Sequence, residues 1–246
     1  MGATDDKPKR ISSVSYSRLE IFEKCGWWAF LEFVERRPKP VDPTGKGEVA
    51  KNRGILIHGE AEKYIRGESN VLVRELQKGQ IPELLDRLRT DWPDGHIEVE
   101  QDWAFTLDWD KTQWNNWKEC WLRVKCDVVE HGDGLLHIVD WKSGKRFGNE
   151  VKHSQQGLLY GVASIMRYPD PTDIKITFAY TDEGKVVSKT HKREVLARML
   201  PSFDERLKKV TSTEKFAAKP SKITCRFCPF GPNNGGDRSC PWGVEI

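Results

Sequence analysis

The chain has 246 residues, of which 37% are hydrophobic and 31% charged, enough for one sizeable core or a core with a small appendage. Forty Lys and Arg face 37 Asp and Glu, a formal net charge of +3. That balance excludes a histone-like polycation and an acidic disordered tail, and alone it gives no reason to expect nucleic acid. No apolar run reaches the roughly 18 residues of a membrane span, and the opening M-G-A-T-D-D-K-P-K-R lacks the apolar stretch of a signal peptide. A soluble, cytoplasmic chain is expected, with its six Cys serving as thiols, metal ligands or redox groups rather than disulfides.

In chain order, residues 1–10 read as a flexible N-terminus. From Ser15 to Val34, Leu19, Phe22, Trp27 with Phe30, and Val34 recur near a helical period, with Ser15 or Ser17 as cap. Residues 37–47, rich in Pro and Gly, form a loop. A second helix spans 48–66, its expected face carrying Ile55, His58, Ala61, Glu62 and Ile65, and a third runs over 81–88. Strand character follows at 96–107 and 119–130, then the turn His131-Gly132-Asp133-Gly134 and a short strand to Trp141. A helix over 149–167, strands at 173–181 and 185–192, and a helix over 193–210 complete the pattern. The Pro- and Gly-rich tail from Phe216 holds three of the six Cys. Acidic residues dominate 83–133 and basic ones 182–222, so Lys208, Lys209, Lys215, Lys219 and Lys222 are candidates for phosphate contacts.

The chemistry concentrates in the hairpin. In Ile138-Val139-Asp140-Trp141-Lys142-Ser143-Gly144, alternation puts Asp140 and Lys142 on one face. A turn centred between Gly132 and Asp133 pairs Asp127 with Ile138 and sets Asp127 diagonal to Asp140. A one-residue slip would carry Asp127 to the other face, and in the expected register Cys126 points away from the carboxylates. Two clustered carboxylates call for a divalent cation such as Mg²⁺ or Mn²⁺, and a Lys beside it can neutralise charge on a phosphate or orient a water. Upstream, His58 and Glu62 stand one helical turn apart, and a neutral imidazole can add a ligand. Downstream, Gln156 and Tyr160 share a face and offer an amide, a hydroxyl and a stacking ring. Taken singly, each of these is more often an ordinary surface or core feature.

In combination and order, His-x-x-x-Glu, Asp127, Ile-Val-Asp-Trp-Lys-Ser-Gly and Gln-x-x-x-Tyr resemble the motif series of RecB-like nucleases of the PD-(D/E)xK superfamily, from Ser13 to Cys240. The resemblance implies an α/β fold, a central mixed sheet flanked by helices. It implies that His58, Asp127, Asp140 and the backbone carbonyl of Trp141 bind the catalytic metal. Lys142 would be the catalytic lysine, with Glu62, Gln156 and Tyr160 supporting the site or touching DNA. One departure is Val124, where the family often has Gly.

Cys225-Arg226-Phe227-Cys228 with Cys240 places three thiolates in a short tail, and a metal there needs a fourth ligand, for which Cys25 is the best candidate. The N-terminal Ser15-x-Ser17-x-Leu19 through Cys25 resembles RecB-like nucleases with an iron–sulfur cluster, such as the fourth CRISPR-associated family and the AddB nuclease domain. By that resemblance Cys25, Cys225, Cys228 and Cys240 hold a [4Fe-4S] cluster joining the chain ends, with structural Zn²⁺ or unmetallated thiols as alternatives. Gly26 departs from the usual Pro, and the gap to Cys240 is long. Cys120 and Cys126 read as buried packing residues. Trp27 and Trp28 are expected to shield the cluster. Six of the ten Trp fall between Trp92 and Trp121 and read as packing rather than a base-stacking platform, because that region is acidic.

The resulting expectation is one nuclease domain over 11–246, with 216–246 as the cysteine-rich part of the cluster module. It would be a metal-dependent DNA exonuclease acting on single-stranded ends or overhangs, in DNA processing, recombination or CRISPR adaptation. A phage origin would place it in the host cytoplasm, and a helicase, integrase or recombination protein would be its partner. A DNA-end-binding or docking module without catalysis is the alternative outside enzymes, and an endonuclease or junction resolvase the alternative within them.

Overall fold

A computed structural model describes residues 10–41, 45–92, 96–233 and 236–246; most of the expected flexible N-terminus lies outside them. Contacts divide the chain into two compact units, Lys46–Phe203 and a second built from Met1–Gly45 with Asp204–Ile246.

The smaller unit begins with α1 (Tyr16–Lys24), whose N-terminus is capped by the Ser15 hydroxyl. The single helix expected to Val34 is broken at Cys25, which is extended (φ −161°, ψ 112°). Beyond it come α2 (Gly26–Ala29) and a π-helical turn (Phe30–Val34). In the larger unit α3 (Lys46–Ile65) buries Ile57, Ala61 and Ile65 at four-residue spacing. The expected stripe through Ile55 is incorrect: Ile55 is 62% exposed, and the buried stripe starts two residues later. A 3₁₀ turn (Arg74–Leu76) leads to α4 (Ile81–Asp91), which buries Ile81, Leu85 and Leu88.

Six strands form one mixed sheet: β1 (Ile97–Phe105), β2 (Lys111–Thr112), β3 (Leu122–His131), β4 (Leu135–Lys142), β5 (Asp173–Tyr180) and β6 (Lys185–Lys192), in the order β2-β1-β3-β4-β5-β6. Only β4 and β5 are parallel, and α5 (Glu150–Arg167) crosses between them. Then α6 (Arg193–Ser212) runs through the boundary of the two units, and α7 (Lys222–Phe227) was not anticipated from sequence.

The two faces of the sheet bury different partners. Val99, Val128, Val139, Trp141 and Ala179 join α3 and α4 in one core cluster. On β4 the alternate residue Asp140 meets Tyr160 of α5, so α5 lies on the opposite face. At the rim, Arg87 pairs with Glu130 through both guanidinium nitrogens (2.6 and 3.0 Å), and His137 Nδ1 lies 2.7 Å from the same carboxylate. Burial alone would raise the Glu130 carboxyl; the hydrogen bonds from His137 and Arg87 outweigh it and hold the group at about 2. A depressed carboxyl stabilises the fold above the unfolded value of about 4.3 and loses that contribution as pH falls toward 2. Glu130→Gln is therefore expected to cost ~1–3 kcal/mol in denaturant unfolding at pH 7. The difference from wild type should shrink by pH 3.

The Trp-rich stretch is largely packing. Trp103, Trp109 and Trp121 are buried, while the Arg123 guanidinium lies over the rings of Trp114 and Trp117 at 5.1 and 4.1 Å. Cys120 and Cys126 are buried as expected.

Candidate active site and cysteine cavity

The hairpin brings Asp127 and Asp140 face to face by a register that differs from the expected one. Pairing runs Val128↔Val139, Val129↔Ile138 and Glu130↔His137, a register that, continued one step, sets Asp127 opposite Asp140 rather than diagonal to it. Gly132 and Leu135 close the turn, and Gly134 supplies φ +67°. The turn is thus centred one residue later than predicted, because Gly134 rather than Gly132 takes the left-handed position. The shift slides the pairing by two residues, which preserves the face.

A second feature aims Asp127. Val99 packs with α3 and α4, but Trp103, four residues on, packs against Arg167 and Tyr168 at the end of α5. Regular alternation would keep the two on one face. It breaks at Glu100, a non-glycine residue at φ +51°, and the ladder omits the Glu100–Asp127 pair between Val99↔Val128 and Gln101↔Cys126. Asp127 sits at this break, and its two oxygens meet different partners. His58 of α3 approaches one oxygen (Nδ1 to Oδ1, 3.0 Å), and the Trp141 amide donates to the other (2.8 Å). The unusual backbone thus lies on the partner strand, while Val124 is buried in regular pairing with Trp103. Cys126 is fully buried, and desolvation first, then the charges of Asp127 and Asp140, raise its thiol.

Asp140 is held from α5. Tyr160 donates its hydroxyl to Oδ1 at 2.7 Å, and Gln156 bridges Tyr160 Oη (2.6 Å) and Lys142 Nζ (2.9 Å). Lys142 Nζ lies 2.7 Å from Asp140 Oδ2 as an ion pair, yet that oxygen, in a side chain 6% exposed, has no hydrogen bond of good direction. Burial first, then the Asp140 charge, raises the Asp127 carboxyl against the pull of His58 and the Trp141 amide. Burial lowers His58, but the bond and charge of Asp127, then Asp140 and Glu100, outweigh it and leave the imidazole raised. All these groups line an open cleft of about 620 Å³.

Of the residues predicted for the site, His58, Asp127, Asp140, Lys142, Gln156 and Tyr160 converge in the cleft. Trp141 contributes its amide to Asp127, and its ring is buried in the opposite core. Glu62 lines the cleft, with its carboxylate bonded to Arg66 (3.0 Å). Sequence reasoning missed Glu100. Among the described residues, His58, Glu100 and Asp127 are the one group whose ligand atoms lie within 4.8 Å of one another. Its carboxylate pairs with Lys125 at 2.8 Å. No motif marks Glu100; the left-handed backbone that turns it inward is invisible in sequence. Facing buried carboxylates, a raised Asp127 and an unsatisfied Asp140 oxygen fit a hard divalent cation.

A sequence profile of the PD-(D/E)XK nuclease superfamily matches residues 13–232. The chain belongs to that superfamily. The tripeptide Asp140-Trp141-Lys142 reads as (D/E)XK, and divalent-metal chemistry goes with the family. Among solved structures, the protein SSO0001 aligns over 98% of this chain and 91% of its own, at 11% identity and TM-score 0.43. A candidate exonuclease from Eubacterium rectale aligns over 100% and 96%, at 14% identity and TM-score 0.47. No curated protein matches the sequence.

In the smaller unit, Cys25, Cys225, Cys228 and Cys240 line one small cavity, with Trp27, Trp28 and Trp242 in its wall. Phe230 is fully buried against Cys25 and Cys228. Gly26 has a local reason: a Cβ there would lie 2.9 Å from the Ala217 carbonyl oxygen. The Trp27 amide donates to that same oxygen (3.2 Å), and the Lys219 amide to Cys25 Sγ (3.4 Å). Desolvation pushes the Cys228 thiol up to about 11, and the charges of Cys25 and Cys225 add to the rise at Cys240. Among the described residues, no three of these sulfurs lie within 4.8 Å of one another, so neither the expected cluster nor the zinc alternative is shown. Of the basic tail residues, Lys208 pairs with Asp204 and Lys219 reaches the Glu23 carbonyl, so these two serve local contacts. Among the described residues, no helix is long and apolar enough to cross a membrane.

Proposed function

We propose that this chain is a metal-dependent deoxyribonuclease, an exonuclease that hydrolyses single-stranded ends or overhangs. The observation that carries the reading is the buried pair Asp127 and Asp140 facing across one strand pair with Lys142 beside it. Asp127, Asp140, His58 and the Trp141 carbonyl would hold Mg²⁺ or Mn²⁺, and Glu100 stands beside them as a further carboxylate. Such an ion supplies a Lewis acid and a hydroxide-like water at neutral pH. Lys142 would neutralise the charge that builds on the phosphate, held at its station by Gln156. Tyr160 fixes the Asp140 carboxylate so that its second oxygen stays turned to the cleft. The preference for single-stranded ends, a cytoplasmic setting and a helicase, integrase or recombination partner come from the resemblance to RecB-like nucleases.

The test is cleavage of labelled single-stranded, double-stranded and closed circular DNA with Mg²⁺, Mn²⁺ or EDTA. Loss of linear DNA only with metal, with the circle intact, is the expected result. Cleavage of the circle would replace the exonuclease by an endonuclease, and binding without cleavage under any metal would leave a DNA-end-binding module.

The cysteine cavity is proposed to take a [4Fe-4S] cluster, which Cys25, Cys225, Cys228 and Cys240 would hold, a reading that rests on the resemblance to cluster-bearing RecB-like nucleases and on the four lining one cavity. Anaerobically purified protein should carry iron and sulfide with a band near about 400 nm. Cys225→Ser should lose both. Colourless wild-type protein containing zinc would replace the cluster by a structural zinc site, and colourless protein without metal would leave the four as buried thiols.

A further inference from the structure

Beside the carboxylate cleft, a second cavity of about 230 Å³ opens between α5 and the β5–β6 hairpin. Its lining includes the apolar Ile176, Phe178 and Gly157. A Cβ at Gly157 would lie 3.2 Å from both Ile176 and Phe178, so the absent side chain lets the helix sit against them. The His153 ring lies nearly parallel to Phe178 (5.6 Å, 30°) and 2.9 Å from the Tyr180 hydroxyl.

The rim carries Arg146, Lys189 and His191 against a single acid, Glu150, whose carboxylate already accepts from the Gly148 amide. Arg146 Nε is buried without a hydrogen-bond partner. Aromatic walls, an apolar lining and a cationic rim suit a flat ring attached to an anion. The volume lies below the ~300–1,000 Å³ of sites that enclose a whole ligand, so a base enters and its sugar and phosphates stay at the rim. Phe178 links this cavity to the cleft, because Lys142 Nζ lies 5.3 Å from its ring centroid.

We propose that this cavity is a base subsite for the DNA strand, holding the base of a nucleotide next to the cleaved linkage, with Arg146 and Lys189 meeting its phosphates. The proposal rests on the nuclease reading for its substrate. Its test is binding, which does not depend on cleavage.

A fluorescein-labelled single-stranded 12-mer is titrated in EDTA, with one abasic nucleotide walked along it. Wild-type protein should lose at least about fivefold in affinity when the abasic unit falls at one position. Ser154→Trp, from an exposed site on the cavity wall, and Lys189→Glu, also exposed, should weaken the intact oligonucleotide several-fold and abolish that position dependence. Unchanged melting temperatures would show both variants folded. A flat abasic profile in wild type, or unchanged affinity in both variants, would overturn the subsite. Mg²⁺-dependent cleavage of the same 12-mer separates the two readings: cleavage with a flat profile sinks the subsite alone, and position-dependent binding without cleavage sinks the nuclease alone.

Discussion

Lys142→Ala is expected to lower metal-dependent DNA cleavage by about 10²–10³-fold or more while the protein stays folded. Nζ is the cation nearest the paired carboxylates, 2.7 Å from Asp140 Oδ2, and Gln156 Oε1 holds it at 2.9 Å. Its side chain is 18% exposed at the floor of an open cleft, so truncation leaves little void. Removing the ammonium deletes the positive charge aimed at the phosphate and leaves Asp140 facing Asp127 with one counter-charge fewer. Lys142→Met separates charge from packing, because it keeps an apolar stem beside Phe178. Single-turnover cleavage with Mn²⁺ measures the loss, and Mn²⁺ binding should persist in both variants, since a competing cation has gone. Wild-type rates in either variant would remove Lys142 from the chemistry.

Gly79→Ala should destabilise the larger unit by roughly 2–4 kcal/mol. Gly79 and Gly184 both have positive φ (+53° and +63°), and their backbones touch where the loop before α4 meets the β5–β6 turn. A Cβ on Gly79 would fall 2.2 Å from the Gly184 carbonyl oxygen and 2.9 Å from its carbon. Neither atom can move without breaking the Gln80 amide bond to that oxygen (2.8 Å) or the bond from the Val186 amide to the Gln80 side chain (3.1 Å). A midpoint lower by ~5–15 °C is the expected readout. Gly59→Ala is the control: its Cβ meets nothing within 4 Å, and in a helix it should be neutral or stabilising. Equal melting of Gly79→Ala and wild type would mean that the two loops are not in contact.

Local pattern in the chain is enough to read the strand and helix order from α3 to α6 to within a few residues, except for the two-residue β2 and the 3₁₀ turn, because apolar periodicity and turn residues act within short windows. The same holds for the six side chains that meet in the cleft, since each lies in a motif whose spacing puts it on one face of its element. Three features are not read off this pattern. The exact facing of Asp127 and Asp140 follows from which glycine takes the left-handed turn position. The inward Glu100 follows from a break in alternation that β1 and β3 make together, with no composition signal in either strand. The close approach of the Ala217 backbone to Gly26, just after the break at Cys25, comes from a segment nearly two hundred residues away. Periodicity assigns each residue a face; only packing between elements decides which faces meet and where the backbone must leave its regular path.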